Sequence, residues 1–255
     1  MKEIFAIINQ KGGVGKSTTA HAIGAGLSLK GYKVLFIDLD AQSNLSYTLG
    51  AVNKKISSLD ILTCVSTAEQ AIQTTEQGNI IPASTSLAGA DAIITTTGKE
   101  YRLKEAIAPL KNRFDYIIID TPPALGILTI NALTACTGVI IPAQADIYSL
   151  QGISQLQGTI QAVRQYCNHD LKVKGIVLTR YSNRSILSRE VAEMIEDTAH
   201  RLNTKLYKTA IRECIAIKES QVNQQNIFAY APKSNASADY EALINEIIER
   251  SHSVV

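Results

Sequence analysis

Along this chain, short runs of β-branched and other apolar residues alternate with longer stretches whose apolar positions recur at helical spacing. The runs predict strands near residues 3–9, 33–38, 79–82, 115–119, 138–142 and 173–179. The periodic stretches predict helices near 16–30, 100–111, 127–136, 150–167, 187–202 and 237–250. Near-continuous apolar strands separated by helices require crossover connections and burial on both sheet faces. The expected fold is therefore α/β, a doubly wound, mainly parallel sheet flanked by helices. No internal repeat or low-complexity linker breaks the pattern, and 255 residues with 45% hydrophobic content suit one domain spanning 1–255.

The first strand runs into Asn9-Gln10-Lys11-Gly12-Gly13-Val14-Gly15-Lys16-Ser17-Thr18 and then a helix. Glycines let a backbone turn tightly and aim N–H groups at phosphate oxygens. Lys16 supplies a point charge for β- and γ-phosphates, and the Ser17 hydroxyl suits Mg²⁺. The general phosphate-loop pattern has a glycine where this chain has Gln10. Strand, loop and helix nevertheless follow in the order a phosphate cradle needs.

In doubly wound sheets, ligands collect at the carboxyl ends of strands, so the aspartates at those ends are candidate site residues. One predicted strand ends in Asp38-Leu39-Asp40, another in Asp120-Thr121-Pro122-Pro123. Magnesium in phosphate-transfer sites keeps several waters and few protein ligands, which suits Ser17 directly and Asp38 or Asp120 through water. A further carboxylate must orient the attacking water, and Asp40, two residues past its strand end, is the candidate.

Composition narrows the reading. Formal net charge is +2, so bulk charge does not announce a nucleic-acid partner. No apolar run is long enough to span a bilayer and no leader pattern opens the chain, so a cytoplasmic location is expected. Cys64, Cys136, Cys167 and Cys214 are scattered singly, against a disulfide framework or a one-subunit metal cluster. His21, His169, His200 and His252 have no ligand or triad spacing.

Lys-Gly-Gly-x-Gly-Lys-Ser/Thr, with its extra Lys11, is the signature of the deviant Walker A phosphate-loop NTPases. The chain as a whole resembles the ParA/Soj family of DNA-partitioning ATPases within them. The resemblance is carried by residues 9–18, by Asp38-Leu39-Asp40-Ala41-Gln42-Ser43-Asn44 and by Asp120-Thr121-Pro122-Pro123-Ala124-Leu125-Gly126. Ile140-Ile141-Pro142-Ala143-Gln144, Leu178-Thr179-Arg180-Tyr181 and Ala229-Tyr230-Ala231-Pro232-Lys233-Ser234 add to it.

This resemblance implies an ATP- and Mg²⁺-dependent homodimer, in which Lys11 of each subunit reaches the phosphates held by the other while Gly12 permits the close approach. It implies nucleotide contacts from Lys11, Gly12, Gly13, Val14, Gly15, Lys16, Ser17 and Thr18, with Arg180 and Pro232 near the base. The implied catalytic set is Lys11, Lys16 and Asp40. Adenine is expected over guanine, because Asn53-Lys54-Lys55-Ile56 lacks the aspartate of a guanine-reading element. The family pattern has a proline where this chain has Ala41, and an Ile-Pro-Arg where it has Ile211-Arg212-Glu213.

Between Lys172 and Lys218, ten basic residues face five acids, so an electropositive patch is one expectation and a merely solvated face the other. Candidate DNA contacts are Arg184, Arg189, Lys208, Arg212 and Lys218. ATP-driven pairing of two patches would make non-specific duplex binding switchable. The implied partners are double-stranded DNA and a ParB-like centromere-binding protein. Alternatives are a MinD-like or cargo-positioning ATPase acting on a membrane or protein cargo, and a redox or amide-forming enzyme on the same scaffold. The C-terminal stretch from Tyr240 to Arg250 has an acidic polar face, so it is expected to pack on the core and not on a membrane.

Overall fold

The computed structural model describes residues 3–52, 56–182 and 184–251, so residues 53–55 of the guanine-reading comparison and His252 lie outside it. Eight strands form one sheet: β1 (Glu3–Ile7), β2 (Val34–Asp38), β3 (Gln73–Thr75), β4 (Gly78–Ile81), β5 (Tyr116–Asp120), β6 (Gly138–Ala143), β7 (Lys172–Tyr181) and β8 (Ile211–Arg212). Their spatial order is β3-β4-β2-β5-β1-β6-β7-β8, and every pairing is parallel except β3 with β4.

Among the described residues, helices of eight or more residues are α1 (Lys16–Leu29), α2 (Ile127–Ala135), α3 (Ile147–Tyr166), α4 (Ile186–Arg201), α5 (Ile215–Val222) and α6 (Asn235–Ser251). Side chains alternate across a strand, and the core divides accordingly. Ile4, Ala6, Leu35, Ile37, Ile117 and Ile119 pack under α2, α3 and α4. Phe5, Ile7, Val34, Phe36, Tyr116 and Ile118 pack under α1, α5 and α6. Burial on both faces is what the continuous apolar strands required.

The structure differs from the sequence expectation at four elements. The helix expected over 100–111 is a 3₁₀ turn (Lys99–Tyr101), one α-helical stretch (Arg102–Ile107) and a second 3₁₀ turn (Ala108–Asn112). Pro109 has no N–H and its ring clashes with the preceding turn, so a regular helix cannot continue through it. The strands β3 and β8 are three and two residues long and carry no apolar alternation, so no sequence pattern marks them. Helix α5 was also not expected from the pattern.

The C-terminal helix lays Ala236, Tyr240, Leu243, Ile244 and Ile247 into the core on the α1 face. No helix among the described residues is long and apolar enough to cross a membrane.

Candidate functional site

Strand register brings the candidate residues together. Ile7 pairs with Asp120 and Asp120 with Asp38, so the carboxyl ends of β1, β5 and β2 form one row. Asp38 shares a face with Val34 and Phe36, and Asp120 with Tyr116 and Ile118, which is the α1 face. Both carboxylates therefore point to the side where α1 begins with Lys16 and Ser17. The Thr121 hydroxyl donates to the Ile7 carbonyl at 2.9 Å and ties the β5 end to the mouth of the loop.

The loop depends on its glycines at two positions. Gly13 and Gly15 have φ of 75° and 86°, the left-handed region where a side chain is strained. Gly12 has no such φ, and a Cβ built there would meet nothing within 4 Å in this chain. Asn9, buried under the loop, donates to the Pro142 carbonyl at 2.7 Å and accepts from the Lys11 N–H at 2.9 Å. The Thr179 hydroxyl donates to the Val14 carbonyl at 2.8 Å. Neither polar brace was in the sequence-based set.

Lys16 is almost fully buried and curls back over the loop, its Nζ 3.3 Å from the Lys11 carbonyl. Burial lowers its pKa, while Asp120 and then Asp40 oppose the shift. Lys11 points elsewhere. Its Nζ lies 2.5 Å from Asp146 Oδ2 and 3.3 Å from Gln144 Oε1, and Asp146 also caps α3 by accepting from the Ser149 N–H.

The carboxylates differ in how they are satisfied. Asp38 accepts from the Asp40 N–H and from both the N–H and hydroxyl of Ser46, at 2.7–3.0 Å. Burial pushes it up to about 6 against those bonds. Asp120 is fully buried, and among the described residues neither oxygen receives a well-formed hydrogen bond, the nearby Ser17 hydroxyl falling short of one. Burial, and then the neighbouring Asp38, raise its pKa well above the ordinary value, although the Ser17 hydroxyl and Lys16 favour its charged form. Asp40 is held by a single bond from the Gln42 N–H and lines the cavity.

A buried carboxylate with no well-formed hydrogen bond, beside a second carboxylate and a single lysine, is short of positive charge. A Mg²⁺ ion reached by Ser17 directly and by Asp120 through water fits that deficit. Asp38 already accepts three hydrogen bonds and fits as support for Asp120 and for the Asp40 turn.

The loop opens on a cavity of about 620 Å³ lined by Gly12, Gly13, Gly15, Lys16, Ser17, Thr18, Asp40 and Pro123. A smaller pocket of about 160 Å³ adjoins it, walled by Thr179, Arg180, Ile211–Cys214 and Tyr240. Arg180 walls this pocket, its guanidinium 2.7 Å from Glu213. Pro232, expected there too, does not: it lines a separate hollow with Gly26, Leu29 and Lys30. That places it at the far end of α1, about 15 Å of helix rise from Lys16.

The basic segment also reads differently in three dimensions. Arg212 is bidentate to Asp239 of α6, with Nη2 2.7 Å from Oδ1, so its charge is already matched. Lys218 is exposed and lines the nucleotide-sized cavity. Lys174 pairs with Glu3, and the Lys205 ammonium is buried over the Tyr207 ring. Arg184, Arg189 and Lys208 are exposed, but α4 also exposes Glu190, Glu193, Glu196 and Asp197. Two acids from outside the segment, Glu3 and Asp239, pair with Lys174 and Arg212, so part of the excess of ten over five is matched in the fold.

A phosphate loop between β1 and α1, carboxylates at the ends of β2 and β5, and an adjoining base-sized pocket define a phosphate-loop nucleoside-triphosphatase of the α/β type. The sequence profile described as "AAA domain" matches residues 2–173. The sporulation initiation inhibitor protein Soj of Bacillus subtilis is 40% identical, over 97% of this chain and 98% of Soj. The chromosome partitioning protein ParA of Caulobacter vibrioides is 35% identical, over 97% of this chain and 94% of that protein. Among solved structures, cobyrinic acid a,c-diamide synthase from Mycobacterium smegmatis, with bound ATP analog and magnesium, is 34% identical with a TM-score of 0.85. That similarity covers 98% of this chain and 96% of the synthase. The chain belongs to the ParA/Soj family of ATPases.

Proposed function

We propose that this chain, acting as one ATPase unit, is an ATP-driven switch for partitioning DNA, whether plasmid, mobile element or chromosome. ATP and Mg²⁺ bind at residues 11–18. Lys16 neutralises the β- and γ-phosphates, Ser17 and Asp120 hold the metal with Asp38 behind them, and Asp40 orients the attacking water. Two subunits close face to face over their nucleotides, and Lys11 of each supplies charge to the other's γ-phosphate. The closed dimer grips duplex DNA without sequence preference through Arg184, Arg189 and Lys208. Hydrolysis, stimulated by a ParB-like centromere-binding partner, releases it. In the cell the protein works on the nucleoid.

The observation that carries this reading is the contrast between the two lysines of one loop. Lys16 lines its own subunit's cavity, whereas Lys11 leaves it and rests on Asp146. A lysine turned away from its own phosphate site, next to a glycine whose substitution nothing in the chain opposes, suits a second subunit. The kinship with Soj and ParA supports the partition role over an amide-forming one. The packed α6 helix favours DNA over a membrane as the surface acted on.

The test is ATP turnover measured alone, with duplex DNA, with the centromere-binding partner, and with both. Stimulation greatest when both are present is the expected result. Turnover unchanged by either would overturn the partition role while leaving the ATPase assignment in place.

A further inference from the structure

The phosphate cavity and the base-sized pocket share five lining residues: Gly13, Gly15, Thr18, Lys218 and Gln221. Lys218 alone among them is charged. It comes from α5, which also supplies Gln221, whose amide donates to the Thr18 hydroxyl at 2.9 Å. Residues three apart share one face of a helix, so the bond that seats Gln221 on the first turn of α1 also turns Lys218 toward the junction of the two cavities.

The other cations lining these cavities are committed. Arg180 is bound to Glu213, Arg212 is bidentate to Asp239, and Lys16 bends over the loop toward Asp120 and Asp40. Among the described residues the Lys218 ammonium makes no ion pair or hydrogen bond, and the side chain is exposed at the cavity. With the terminal phosphates at Lys16 and Ser17 and the base between Thr179 and Cys214, the group opposite Lys218 is the phosphate next to the sugar.

We propose that Lys218 is a nucleotide-binding residue that contacts the α-phosphate, a second cation for the bound nucleotide at the opposite end of the phosphate chain from Lys16. The assignment rests on the nucleotide-site reading above. It replaces the outward, DNA-facing role that its place in a basic segment suggested.

The test is calorimetric titration of the full chain with ADP and with ATP, in Mg²⁺ and without DNA, for wild type, Lys218→Ala, Lys218→Arg and Lys16→Ala. Both nucleotides carry the α-phosphate, so Lys218→Ala is expected to weaken both alike, by about tenfold, as loss of a charge-assisted contact does. Lys218→Arg is expected to restore most of it. Thermal denaturation checks that the exposed substitution leaves the fold intact. Wild-type affinity for both nucleotides in Lys218→Ala, alongside a loss in Lys16→Ala, would overturn the assignment and leave the site standing. A loss confined to ATP would overturn it as well, by moving Lys218 to the γ-phosphate. Failure of the wild type to bind either nucleotide would overturn the site reading and this assignment with it.

Discussion

Lys11 and Asp146, 135 residues apart, meet at 2.5 Å across the gap between the β1 loop and the start of α3. The same carboxylate accepts the Ser149 N–H, so one aspartate caps a helix and holds a lysine out of its own phosphate cavity. Partial burial raises the pKa of Asp146, but hydrogen bonds from Lys11 and Ser149 and the lysine's charge together outweigh it and hold the carboxyl below its ordinary range. If Lys11 serves the partner's nucleotide, this pair must open before the dimer can close.

Asp146→Asn should therefore lower the ATP concentration at which dimers form. The amide still caps α3 and removes only the charge. Both side chains are about a quarter to a third exposed, so the pair contributes about 0.5–1 kcal/mol, which is roughly a two- to fivefold shift. Light scattering along an ATP titration measures it, and an unchanged midpoint would show that the pair does not restrain Lys11.

Gly12→Val should bind ATP within about twofold of wild type and yet fail to dimerise, since an added Cβ meets nothing in its own chain. ATP-dependent dimers in this variant would sink the cross-subunit role of the loop.

Asp40 is held by one side-chain hydrogen bond and faces the cavity, whereas Asp38 accepts three. Asp40→Ala should bind ATP, dimerise and stay on DNA while hydrolysis falls about 100-fold or more. Lys16→Ala should lose tight nucleotide binding and every later step. Normal turnover by Asp40→Ala would assign the attacking water to another residue.

Arg212→Ala should lower the melting temperature without changing DNA affinity, because the guanidinium clamps β8 to Asp239 of α6 and has no charge to spare. A loss of DNA binding at unchanged stability would return Arg212 to the DNA surface.

His21 is buried in α1 beside Phe36, its Nε2 has no partner, and burial lowers its pKa to about 4. A base whose folded-state pKa is depressed leaves the unfolded chain holding more protons between pH 4 and 6.5. Stability is thus full above about 6.5 and falls as pH drops toward 4, by up to about 3 kcal/mol. Asp38 and Asp120, raised by burial, slope the other way in part of that window. The difference between wild type and His21→Gln in urea midpoints across pH isolates the histidine, and parallel curves would refute the shift.

The local signals of the sequence already determined the alternation of strand and helix, the phosphate loop and the aspartates at the ends of β2 and β5. Periodicity, glycine at a left-handed φ and a contiguous motif are written within a few residues, and no distant contact is needed to read them. Even Pro109, which breaks the helix expected over 100–111, acts through its own ring. Only the tertiary structure decided how charges are matched. It put Asp120 beside Asp38 by strand register, sent Lys11 to Asp146, turned Lys218 into the cavity and moved Pro232 away from it. It also paired Lys174 with Glu3 and Arg212 with Asp239, matching two charges of a segment that is basic in the chain. A charge acts on whatever lies within a few ångströms, and in a doubly wound sheet those neighbours come from strands and helices far apart in sequence.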